Sequence, residues 1–185
     1  MQRLICRLGT RARQFWRKED GASTIPAVMF LPFFIILMFS GVELGVLMLR
    51  QTLMDRGVDM SVRLLRLGAP MPTHEQLKRS ICSNIGFIPN CMNDLSVEIY
   101  AVDKATWTSS QAGTSVTCID RAATEPPPPT TLERGASDQL MLLRACLKVD
   151  PMMPTTGLGG ALTKTGDGSI ALIVTTAFVN EPRKN

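Results

Sequence analysis

Between Ala22 and Leu49 the chain reads ASTIPAVMFLPFFIILMFSGVELGVLML, 28 residues whose only charged side chain is Glu43. As a helix rising ~1.5 Å per residue, this run is about 42 Å long, which exceeds the ~30 Å hydrocarbon core of a bilayer. A soluble core helix seldom needs so long an apolar run, so the stretch reads as a single transmembrane helix. Pro26 falls in its first turn, where the missing N–H costs nothing. Pro32 lies inside it, which transmembrane helices tolerate. A cleaved secretory signal is the rival reading. Its apolar region would be about half as long, and Leu47-Met48-Leu49-Arg50 makes a poor cleavage site.

Charge orients this helix. Six of the 20 basic residues (Arg3, Arg7, Arg11, Arg13, Arg17 and Lys18) precede it, opposed only by Glu19 and Asp20, and the rest of the chain is balanced. The net charge of +4 is therefore a flank of the apolar helix rather than a nucleic-acid surface. The positive-inside rule places the basic tail, residues 1–20, in the cytoplasm and exports the C-terminal part. Residues 21–49 form the span. Cys6 then lies on the reducing side, whereas Cys82, Cys91, Cys118 and Cys146 are exported, an even number that suggests two disulfides. Three pairings are open. Cys82–Cys91 closes a short loop and Cys118–Cys146 joins two strand-like runs, and this pairing is favoured.

The helix is expected to continue past the membrane. Val46, Leu49, Leu53, Gly57, Met60, Leu64 and Leu67 recur at helical spacing, with Arg50, Asp55, Arg56, Asp59, Arg63 and Arg66 on the other faces. Residues 50–68 thus form an amphipathic continuation, which Gly68, Pro70 and Pro72 end. Glu43 falls near the outer interface, either as a hydrated carboxylate or as a partner contact within the membrane. Gly41 and Gly45 flank it as a small-xxx-small pair that permits close helix approach.

Residues 69–185 read as a small α+β domain. A short helix spans His74 to Ser83 and a loop spans Ile85 to Asn93. LSVEIYAV, residues 95–102, is a strand with Leu95, Val97, Ile99 and Ala101 on one face. SVTCID, residues 115–120, is a second, shorter candidate. Trp107 is expected to pack on the sheet, and EPPPPTT, residues 125–131, to form a stiff polyproline connection. LMLLRACLKV, residues 140–149, reads as a buried strand. Ala161–Thr165 and Ser169–Val179 read as a hairpin across Thr165-Gly166-Asp167-Gly168. The fold class is α+β: a long N-terminal helix followed by a disulfide-linked, antiparallel β-containing exported domain.

No catalytic constellation accompanies this plan. The chain lacks the GxSxG, HExxH, phosphate-loop and dinucleotide patterns. Its single histidine, His74, removes most histidine-dependent schemes, and no CxxC suggests zinc. Met141 and Met152-Met153 suit core packing better than copper. Gly157-Leu158-Gly159-Gly160 lacks the strand–helix context of a phosphate cradle, and Asp167-Gly168 is a turn. The chain is expected to be neither an enzyme nor a holder of cofactor or metal, and not to bind nucleic acid.

A basic tail, then Arg17-Lys18-Glu19-Asp20-Gly21, Leu31-Pro32 in the apolar helix and Gly41-Val42-Glu43-Leu44-Gly45 near its end resemble the TadE-like minor pilins of the Flp-type (tight-adherence) pilus. The resemblance covers residues 17–67. It implies a pilin-like plan and a single-pass protein of the bacterial inner membrane with a periplasmic head. It also implies a role in assembling, priming or anchoring a thin pilus, with the bilayer and other pilus or secretion subunits as partners. A prepilin peptidase would cut between Gly21 and Ala22. The family's glutamate five residues after the cut, and the Phe that follows it, are replaced here by Pro26 and Ala27. An uncut assembly factor is therefore the companion outcome. From the residues alone, a membrane-tethered periplasmic binding or scaffold domain of another envelope complex is the alternative.

Overall fold

The computed structural model describes residues 24–67, 72–86, 88–106, 116–122, 132–133, 135–155 and 157–181. The basic tail, Gly21-Ala22, Trp107 and the proline run lie outside the described residues. The chain divides into two compact units, Met1–Val42 and Glu43–Asn185.

One helix, α1, runs from Thr24 to Arg66, 43 residues. Its part in the first unit is apolar and uncovered. Phe30 is 74% exposed, and Phe33, Leu37 and Met38 are exposed with it. It is long and apolar enough to cross a membrane. Pro32 offers no N–H to the helix ladder. The one hydroxyl group near its end, on Ser40, donates back to the Ile36 carbonyl at 2.7 Å, so little polar surface is left uncompensated.

The second unit contains the rest of α1 and, in order, α2 (His74–Ile85), α3 (Cys91–Asp94), β1 (Leu95–Val102), β2 (Leu140–Val149), α4 (Gly157–Ala161) and β3 (Ile170–Val179). A capping box starts α2. Thr73 Oγ1 accepts from Gln76 N–H, and the Gln76 side chain accepts from Thr73 N–H. Gly86 ends it in the left-handed region, φ 55°. The three strands form one antiparallel sheet of order β1-β2-β3. β1 pairs with β2 from Leu95↔Leu147 to Val102↔Leu140, and β2 with β3 from Leu140↔Val179 to Val149↔Ile170.

This register puts Leu95, Val97, Ile99, Met141, Leu143, Ala145, Leu147, Leu172, Val174 and Phe178 on one face. They form a single core with Met54, Val58, Val62 and Leu65 of α1 and Leu77, Ile81 and Ile85 of α2. Contacts along α1 follow the strands. Gln51 Nε2 donates to the Ile173 carbonyl at 3.2 Å, and the Glu181 N–H donates to the Arg66 carbonyl at 3.4 Å.

The buried stripe of α1 is not the one its periodicity suggests. Leu47, Met54, Gly57, Val58, Ser61, Val62 and Leu65 are buried. Leu49, Met60, Leu64 and Leu67 are exposed, so the expected face lies about one residue round the helix from the observed one. The reason is close packing of α2. A Cβ on Gly57 would come within 2.9 Å of Ile85 Cγ1 and 3.1 Å of the Ile81 carbonyl oxygen. Ser61 can be buried because its Oγ is bonded to the Gly57 carbonyl at 3.0 Å and lies 3.1 Å from Ser80 Oγ.

Two further expectations are corrected. Residues 116–120 form no strand. Their bonds are to side chains instead, with Thr117 N–H donating to Glu98 Oε1 at 3.2 Å. The 161–165 segment is not one arm of a hairpin. Ala161 closes α4, and β3 pairs with β2. Residues 165–169 close on themselves, Thr165 N–H donating to the Ser169 carbonyl at 2.8 Å.

Candidate functional site

The residues singled out in the sequence fall into three groups. Gly21 and Ala22 lie outside the described residues. Gly41 and Gly45 are open, and a Cβ at either would meet nothing within 4 Å. Glu43 is 3% exposed, which corrects the hydrated-carboxylate expectation. Its Oε1 accepts the Met152 N–H at 2.9 Å and its Oε2 the Met153 N–H at 3.1 Å. Charge-assisted bonds of this kind are stronger than neutral ones, and they satisfy two backbone donors that a turn would otherwise leave open. Both carboxylate oxygens of Glu43 are therefore engaged by its own chain.

The loop that binds Glu43 is fixed at its start by two arginines. Arg50 Nη1 donates to the Asp150 carbonyl at 2.8 Å. Arg121 donates to Asp94 through Nε at 2.9 Å and Nη2 at 2.7 Å, to Asp150 Oδ1 through Nη1 at 2.6 Å, and to the Lys148 carbonyl at 3.1 Å. The two-pronged grip on Asp94 suits a planar guanidinium. The hydrogen bond with Asp94 raises the Arg121 guanidinium above its already high range, against the desolvation that opposes it. Arg121 therefore clamps the end of α3 to the end of β2.

A second charge pair lies beside it. Lys148 Nζ and Asp167 Oδ2 are 2.8 Å apart, and both side chains are nearly buried. Asp167 Oδ1 also accepts from the Thr165 hydroxyl at 2.5 Å, the Ser169 hydroxyl at 2.6 Å and the Ser169 N–H at 3.1 Å. Burial alone raises this carboxyl, but the bonds from Lys148, Ser169 and Thr165 outweigh it and hold the group well below the usual carboxylate range. Gly168, at φ 82°, takes the left-handed conformation the turn needs.

Disulfides pair Cys82 with Cys91 and Cys118 with Cys146, with Cα separations of 5.8 and 5.3 Å. The first ties the last turn of α2 to α3. The second fastens the strandless 116–120 segment to the middle of β2.

Sequence reasoning did not single out Arg121, Asp94, Asp150 or Lys148, and it read Met152-Met153 as core packing, whereas Met152 is exposed and the two backbone N–H groups bind Glu43. Asp167-Gly168-Ser169 carries a turn signal, but nothing local indicates that Asp167 meets Lys148 19 residues away. His74 makes a side-chain contact, Nε2 lying 3.2 Å from the Val97 carbonyl oxygen. Among the described residues no group of three His, Cys, Asp or Glu side chains is placed to hold a metal ion. The arrangement at this end of the sheet positions backbone and neutralises charge. Comparison with protein-family models, with curated proteins and with solved structures returned no match.

Proposed function

We propose that this chain is a structural component of a Flp-type pilus: a TadE-like minor pilin, or an assembly factor held in the bacterial inner membrane with its head in the periplasm. The observation that carries this reading is α1 itself. One unbroken helix, Thr24–Arg66, supplies both an uncovered apolar segment and the spine of a disulfide-linked head. An apolar helix that leads into a disulfide-linked head is the plan that the resemblance to TadE-like minor pilins implies. Open glycines at 41 and 45 and the exposed Leu49, Met60, Leu64 and Leu67 leave helix surface for neighbouring subunits.

Glu43 gives specific weight to a second reading, a membrane-tethered periplasmic scaffold. Its carboxylate is spent within the chain rather than offered to a neighbouring helix. One experiment separates the two. Residues 24–42 are exchanged for an unrelated apolar helix of equal length, and pili are counted on cells that lack the native gene. A pilus subunit loses piliation although membrane insertion persists, and Gly41→Leu alone weakens it. A scaffold keeps its function in both variants. Intact mass from native membranes adds the processing state, because loss of residues 1–21 marks cleavage between Gly21 and Ala22.

A further inference from the structure

The two outer strands of the sheet, β1 and β3, end differently. In an antiparallel ladder every second residue turns both its N–H and its C=O away from the neighbouring strand. On β1 those residues are Val97, Ile99 and Ala101, and all three are engaged. His74 Nε2 lies 3.2 Å from the Val97 carbonyl oxygen. The Glu133 N–H donates to the Ile99 carbonyl at 2.9 Å, and Glu133 Oε2 accepts the Ala101 N–H at 2.9 Å. A parallel bridge joins Ile99 to Leu132.

The edge of β3 is open at its centre. The Asn180 N–H donates to the Gln139 carbonyl at 3.2 Å, so the even-numbered residues of β3 turn toward β2 and the odd-numbered ones away. Both flanks agree: the Ile173 carbonyl accepts from Gln51, and the Glu181 N–H donates to Arg66. Between them, Thr175 and Ala177 have no outward backbone partner among the described residues. Their side chains are exposed, with Ile173 at 48% and Val179 at 39%. Edges are ordinarily protected by charge, proline or a bulge. β3, IALIVTTAFV, has no charged residue, no proline and an unbroken register with β2.

We propose that β3 is the pairing edge for a second copy of this chain, the two strands running antiparallel about a two-fold axis at Thr175. Thr175 then faces its own equivalent. Ile173 faces the partner's Ala177, and Ala171 faces the partner's Val179. On the core side Leu172 meets the partner's Phe178. No like charges meet, and each large side chain on the outer face meets a small one. The Ile173 carbonyl has two lone pairs, so Gln51 and the partner's Ala177 N–H can share it. A second copy is the occupant because the edge is complementary to itself. The engaged edge of β1 bars a head-to-tail chain, so pairing stops at two. This interface does not depend on the pilus reading.

The test uses the full chain with Cys6→Ser in dodecyl maltoside, followed by sedimentation equilibrium. A dimer is expected. Thr175→Pro removes an N–H that makes no bond to β2, and Thr175→Lys sets two ammonium groups against each other. Each should raise the dimer dissociation constant about tenfold or more, with an unchanged near-ultraviolet circular dichroism spectrum. Should the proline variant misfold, the lysine variant decides. Thr175→Cys should form a linked dimer on mild oxidation, because directly opposed residues that exchange both bonds have Cα atoms about 5.5 Å apart. Glu75→Cys, on the exposed side of α2, should not. A monomer at every concentration overturns the proposal. So does a dimer that survives in a folded Thr175→Lys variant, which would place association on α1. Species larger than a dimer overturn the closed pairing, and a dimer in which Thr175→Cys fails to link overturns the register.

Discussion

Asp167 shows how one side chain can carry a pH dependence. It titrates lower in the folded chain than in the unfolded one, because Lys148, Ser169 and Thr165 bond its ionised form. The stability it contributes is therefore complete above the ordinary carboxylate range, near pH 4, and is lost as the pH falls below it. Asp167→Asn should remove this dependence. It should also cost about 3–5 kcal/mol at pH 7, since Lys148 is left buried without its counter-charge. Thermal unfolding of the full chain in detergent between pH 7 and pH 3, followed by near-ultraviolet circular dichroism, measures both effects. A parallel loss in wild type and variant between pH 5 and pH 3 would assign the acid sensitivity to another group. The turn at Asp167-Gly168 was readable from residue type alone. The partnership with Lys148 was not, because it depends on where β2 ends.

At the scale of elements, helix and strand were read largely from period and propensity. The 140–149 and 169–179 runs are rich in apolar and β-branched residues and became β2 and β3. Alternation correctly put Leu95, Val97, Ile99 and Ala101 on one face of β1. The segment at 116–120 has strand composition but gained no ladder, since Cys118 is bound to Cys146 and a neighbouring N–H to Glu98. The two faces of α1 supply the sharpest test. Leu65 is 8% exposed and Leu64 is 57% exposed, although adjacent. Leu65→Ala should lower head stability by about 2–5 kcal/mol. Leu64→Glu should stay within about 0.5 kcal/mol. The opposite order, measured by the same unfolding experiment, would restore the face that apolar spacing suggests.

At the scale of the whole molecule, the disulfides act on the unfolded chain more than on any contact. Cys82 and Cys91 are separated by 9 positions and Cys118 and Cys146 by 28. By chain entropy these closures are worth about 2.5–3 and about 3.5 kcal/mol. Replacing Cys118 and Cys146 together by Ala should therefore destabilise the head more than replacing Cys82 and Cys91. Unfolding midpoints of the two double variants check this, and the native chain should weigh four hydrogens less than its reduced form. The sequence by itself determined the apolar span and an α+β plan and favoured the Cys82–Cys91 and Cys118–Cys146 pairs, because length, composition and hydrophobic period act locally and add along the chain. Only the tertiary structure decided which stripe of α1 is buried, and that Glu43 is spent on a loop 109 residues away. It alone paired Arg121 with Asp94 and Asp150, and Lys148 with Asp167. Those outcomes depend on close approach between distant segments, at Gly57 against α2 and at Gly159 against Met153. Burial makes each polar group find a partner, and the partner is set by the packing rather than by sequence neighbours.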